Sequence, residues 1–170
     1  IKQEATHFRE HKKFNATLKV SGYESVVQTE AQLDKGYKAL TNGKSLKFNL
    51  AYAEGFESMA LAIGHMLIED REFLFAHSDP AVASLILWHF VEEIEHKNVA
   101  FDVFKHCHGG YFYRLYGLAY ATLHIFAHTR AGYRALLKED HLWGDFSSRL
   151  RLIRILAHIF GKLLPKWLKI

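Results

Sequence analysis

Trp88-His89-Phe90-Val91-Glu92-Glu93-Ile94-Glu95-His96-Lys97 sets three acids and two imidazoles inside a segment whose flanks, Leu85, Ile86, Val99, Ala100 and Phe101, are apolar. His89, Glu93 and His96 follow one another at steps of four and three, so an α-helix would present them on one face. The apolar flanks predict that this face is buried. A carboxylate and two imidazoles taken out of water together need a partner that offsets their desolvation, and a metal ion is the simplest one.

The same spacing recurs upstream. Glu4 and His7 form a second Glu-x-x-His, with His11 one turn further on. Between the two pairs, Glu54 lies in the apolar helical stretch Asn49-Leu50-Ala51-Tyr52-Ala53-Glu54-Gly55-Phe56, and Glu57 follows it by one turn. Two Glu-x-x-His pairs from two helices, with lone Glu residues from two others, is the ligand set of ferritin-like di-iron bundles. Three of those four helices are present, so a helix carrying the remaining lone Glu is expected upstream of Ile1. The reading is therefore a single all-α domain over 1–170, a ferritin-like helical bundle with additional C-terminal helices.

Composition agrees. A chain of 170 residues with 2 Pro and 1 Cys can bury a real core, forms no internal disulfide, and suits a reducing, cytoplasmic setting. The run Leu115–Ala127 is too short to span a bilayer and contains His124. The net charge of +4 is uneven. After Asp145 the chain has Arg149, Arg151, Arg154, Lys162, Lys166 and Lys169 and no acid. The body lacks the basic face with interleaved stacking platforms that nucleic-acid binding requires, so no nucleic-acid partner is expected. The segment 149–169 alternates these cations with Leu150, Ile153, Ala157, Phe160 and Leu164. It is an amphipathic helix that packs on its own bundle or, as the rival use, docks on an anionic membrane surface.

Local signals divide the chain into six predicted helices. The first ends near residue 19 before Gly22, and the second runs from Glu24 to Leu40. The third runs from Ser45 to about His77. The fourth starts at the Asp79-Pro80 cap and reaches about His106 before Gly109-Gly110. The fifth covers Tyr111–Leu137, and the sixth covers Phe146–Leu164 before Pro165.

Glu93 and His96 are the first choice of metal ligands; the alternative for them is a buried Glu–His ion pair. Glu4 and His7 mirror them, unless that helix end is solvated. His89 shares the Glu93 face and would enrich one metal in nitrogen; otherwise it is a core histidine bonded to a carbonyl. Glu54 is the lone-Glu ligand. His11, Glu57, Glu92 and Asp102 are further ligands or groups that orient them; Asp102, for instance, could accept the outer N–H of a ligand histidine. The expected cofactor is two divalent metal ions, iron first, with manganese or zinc as substitutes.

Gln3-Glu4-x-x-His7-x-x-x-His11, then Glu54, then Trp88-His89-x-x-Glu92-Glu93-Ile94-Glu95-His96-Lys97-x-Val99-Ala100-Phe101-Asp102-Val103 with Gly110-Tyr111, resembles the bacterial proteins catalogued as predicted metal-dependent hydrolases. The resemblance spans nearly the whole chain and implies a ferritin-like helical fold with an upstream acidic helix. Where that pattern commonly has a His after the lone Glu, this chain has Gly55, and Glu57 stands where Thr is common. His89-x-x-x-Glu93-x-x-His96 is also similar to the site of ferritin-like di-iron arylamine N-oxygenases. Two activities from one site class are thus expected: hydrolysis, which the family name favours, and oxidation of an apolar or amine-bearing small molecule by activated dioxygen, which the ligand chemistry favours. A non-catalytic metal-binding bundle is the third reading. A homodimer is a further expectation, since 13 Phe, 8 Tyr and 3 Trp suit a dimer face as well as a substrate tunnel.

Overall fold

The computed structural model of the chain describes residues 2–95 and 98–167, with side chains at 4–95 and 98–165. The fold is all-α: α1 Lys2–Val20, α2 Ser25–Gly43, α3 Leu46–Glu69, α4 Arg71–Phe75, α5 Pro80–Glu95, α6 Val99–Cys107, α7 Tyr111–Glu139 and α8 Phe146–Trp167. Among the described residues no helix is long and apolar enough to cross a membrane.

Most boundaries fall where local chemistry places them. Gly22, at φ +97°, turns the chain between α1 and α2 in a conformation that disfavours any Cβ. Asp79 Oδ1 accepts from the backbone N–H groups of Ala81 (2.8 Å) and Val82 (3.1 Å), capping α5 with Pro80 in its first turn. Gly109, at φ +55°, ends α6, where its N–H and that of His108 both donate to the Phe104 carbonyl.

Three expectations are corrected. The third helix stops at Glu69 rather than near His77, because Asp70 leaves helical geometry at φ −104°, ψ 19°. Its carboxylate accepts from His158 Nε2 (2.8 Å) and Lys162 Nζ (3.0 Å) of α8, donors that local spacing cannot reveal. The predicted fourth helix is two elements, α5 and α6, on either side of positions 96 and 97, with Asn98 at the N-cap position of α6. Glu57 Oε2 of α3 accepts from the Ala100 N–H (3.2 Å), holding one of the otherwise orphaned donors of α6's first turn. Finally, α8 continues through Pro165. There the missing proline N–H costs a single intrahelical bond.

The chain divides into two compact units, Ile1–Ser45 with Leu123–Arg149, and Leu46–Thr122 with Leu150–Ile170. In the second unit α3 is the hub, with α5 and α6 packed on it. A Cβ on Gly117 of α7 would lie 2.1 Å from the Ala51 carbonyl oxygen, and one on Gly55 would lie 2.4 Å from Leu118 N, so α3 and the start of α7 meet backbone to backbone. A Cβ on Gly64 would meet Phe90 of α5 at 3.3 Å. Ala51, Met66, Phe104 and Ala121 are the most buried apolar residues described in this unit. Leu163 of α8 joins Ala62 and Met66.

In the first unit the joints are polar. Asn15 Nδ2 (2.8 Å) and Lys19 Nζ (2.5 Å) of α1 donate to the Glu30 carboxylate of α2. Glu139 at the end of α7 accepts from Ser25 N (2.9 Å) and Ser25 Oγ (2.7 Å), so its carboxylate caps α2. Tyr23 donates to Asp140 (2.7 Å).

Candidate metal centre

The residues with metal-ligating chemistry are divided between the two units. In the second, helical spacing puts His89 and Glu93 of α5 one above the other, with His89 Nε2 3.6 Å from Glu93 Oε1. That separation exceeds a hydrogen bond. It suits two atoms that share one ion, since each metal–ligand bond is about 2.0–2.2 Å. Both side chains are mostly buried, and the Phe90 ring meets that of His89 edge-on at 5.2 Å.

Glu54 is 1% exposed. Its Oε1 accepts from Arg114 Nε (2.7 Å) and Ser58 Oγ (2.8 Å). Its Oε2 is fully enclosed and has no hydrogen-bond partner among the described residues. Buried oxygens are rarely left so, and a carboxylate with one oxygen anchored and the other open fits a metal ligand or a proton acceptor. Arg114 already compensates the Glu54 charge, and its guanidinium stacks 4.8 Å from the centre of the Phe101 ring. Glu54 is thus a structural counter-ion in any case, and only its second oxygen is left for chemistry.

In the first unit α1 aligns Glu4, His7 and His11 along one face. His7 is 3% exposed, and its Nδ1 lies 3.7 Å from Oε2 of the exposed Glu4. Burial, reinforced by the charge of His7, holds the His11 pKa below its ordinary value, so His11 favours the neutral form that binds metals.

The remaining expected residues are spread out. Glu57 is engaged with the start of α6. Glu92 is half-buried on α5, about 100° around the helix from Glu93. Asp102 is exposed in the first turn of α6, where its charge complements the helix N-terminus. His96 lies outside the described residues. Two residues around Glu54 escaped the sequence reading. Ser58 was available from i,i+4 spacing. Arg114 carries no local signal, since it lies in the first turns of a different helix.

The structure also accounts for Gly55. With the Leu118 backbone at Cβ distance, no side chain fits beside Glu54, so a histidine there would force α3 and α7 apart.

No curated protein and no solved structure matches this chain. One family model, described as predicted metal-dependent hydrolase, matches residues 1–170, and the chain belongs to that family.

Proposed function

We propose that this protein hydrolyses a small apolar or amine-bearing molecule at a metal centre to which His89 supplies an imidazole nitrogen and Glu93 a carboxylate oxygen. The observation that carries the reading is the His89–Glu93 pair, two ligand atoms facing one space on a mostly buried stripe of α5. One histidine and one glutamate on successive turns of α5 leave coordination positions open for further ligands, water and substrate. A divalent ion so held supplies Lewis acidity, polarising a carbonyl or phosphoryl oxygen and making bound water more acidic. Arg114 and Ser58 fix the Glu54 carboxylate through Oε1. Oε2 is then the oxygen left to serve as a proton acceptor or as a ligand to a second ion. In the two-ion version, Glu54 extends the centre to a ferritin-like Glu/His site with iron as the preferred metal.

A second reading is favoured by the donor set itself. Imidazole and carboxylate donors with open positions also suit ferrous iron in oxygen chemistry, and His89 is the additional histidine that the N-oxygenase resemblance involves.

The test is turnover by the protein loaded separately with zinc, manganese or ferrous iron, against ester, amide and phosphoester substrates. Oxygen uptake by the ferrous form is followed in parallel. Metal-dependent hydrolysis that disappears in Glu93→Gln supports the proposal. Oxygen consumption by the ferrous form, with no hydrolysis under any metal, overturns it in favour of the second reading.

A further inference from the structure

Helix α8 has two apolar faces, and its own fold uses one. Leu163 is 3% exposed and packs with Ile159 against Ala62 and Met66. The other face carries Phe146, Leu150, Ile153, Ala157 and Leu164, within an arc of about 60°. All five are exposed, the four large ones between 56 and 79%. An exposed run of this kind marks a surface for something apolar.

The charges beside it identify what. No acid follows Asp145, and the segment carries six Lys/Arg. Lys162 and His158 are engaged by Asp70, and Arg149 stacks on Trp143 at 5.0 Å. Arg151 and Arg154 are exposed. Arg154 lies about 80° around the helix from the middle of the apolar stripe, and Arg151 about 140°. Both arginines line a cavity of about 560 Å³ with Leu74, His77, Ser78 and Ile155, and Glu72 is the single acid in its wall. An apolar stripe, a one-sign basic border and a pocket of headgroup size beside it are the features of a helix that lies in the plane of a membrane interface. Pairing this stripe with that of a second copy would bring two acid-free basic segments together, which like-charge repulsion opposes.

We propose that α8 docks the protein on an anionic lipid surface, with the Phe146–Leu164 stripe entering the acyl boundary and Arg154 at its edge receiving a phosphate headgroup. The test is co-sedimentation of the full chain with vesicles of phosphatidylcholine alone or mixed with phosphatidylserine, at low and high salt. Binding to the anionic vesicles should exceed binding to the neutral ones by about tenfold or more and fall with salt. Ile153→Ser and the double variant Arg151→Gln/Arg154→Gln, all at exposed positions and so expected to keep the helical circular dichroism, should each lose most of it. Equal partition onto both vesicle types overturns the proposal, as does anionic binding that both variants retain. So does the absence of vesicle binding with a concentration-dependent dimer that Ile153→Ser dissociates, which would make the stripe a contact between copies.

Discussion

The two units are built by different means. In Leu46–Thr122 with Leu150–Ile170, glycines let helices touch backbone to backbone, and Phe48, Met59, Met66, Phe104, Leu118 and Leu163 are withdrawn from water. In Ile1–Ser45 with Leu123–Arg149, the buried apolar residues among those described are Val26 and Leu40. The helices there are tied by Glu30, Glu139 and Asp140, around grooves of about 520 and 290 Å³. Close apolar packing contributes about 25 cal/mol per Å² buried, whereas each polar tie contributes about 1 kcal/mol net. The first unit should therefore open at lower free energy than the second. Candidate ligands on α3 and α5 ride on the stiff unit and those on α1 on the soft one.

Mutations in each unit sharpen this contrast. Arg114→Ala should have the largest effect, because it strands the enclosed Glu54 carboxylate; breaking such a pair costs about 3–5 kcal/mol. Denaturant unfolding of metal-free protein should show this loss, and Arg114→Ala/Glu54→Gln should recover part of it. Gly117→Ala comes next, at about 3 kcal/mol, since its Cβ would collide with the Ala51 carbonyl. A loss well under 1 kcal/mol would mean that the α3–α7 contact is loose. In the softer unit, Glu139→Ala removes the cap of α2 and should cost about 1 kcal/mol. Hydrogen exchange should place that loss in α2. Asp34→Ala, which deletes an exposed i,i+4 pair with Lys38, should change stability by less than about 0.5 kcal/mol.

Acidification separates the units by a route that involves no mutation. Burial, and then the charge of His128 across a 3.2 Å Nε2–Nε2 contact, depress the His124 pKa. The unfolded chain therefore binds the proton more readily than the fold does. The stability from neutral His124 is present above its ordinary pKa of about 6.5 and is lost as pH falls through the depressed value. In the other unit, Lys162 and then His158 depress the Asp70 carboxyl, so that contribution persists until pH falls below the ordinary carboxylate range. Exchange measured along a descending pH series should show α2 and the end of α7 loosening before α4 and α8.

What sequence disclosed follows the reach of each interaction. The turns at Gly22 and Gly109, the Asp79-Pro80 cap, and the shared face of His89 and Glu93 depend on neighbours within about one helical turn, and spacing exposes those. The break at Asp70 depends on His158 and Lys162, and the setting of Glu54 on Arg114; neither has a local signature. Pro165 misled in the opposite sense, since α8 continues through this strong local stop signal. Glu57 had the right spacing for a ligand, yet its carboxylate bonds to the start of α6.

The most direct test of the metal centre is elemental analysis and metal titration of the purified protein beside its Glu93→Gln and His89→Ala variants, with helicity checked in each. The account predicts zinc, manganese or iron bound in near-stoichiometric amount by the parent chain and lost from both variants at unchanged helicity. A folded parent that takes up none of these metals, or variants that retain the full amount, would contradict it.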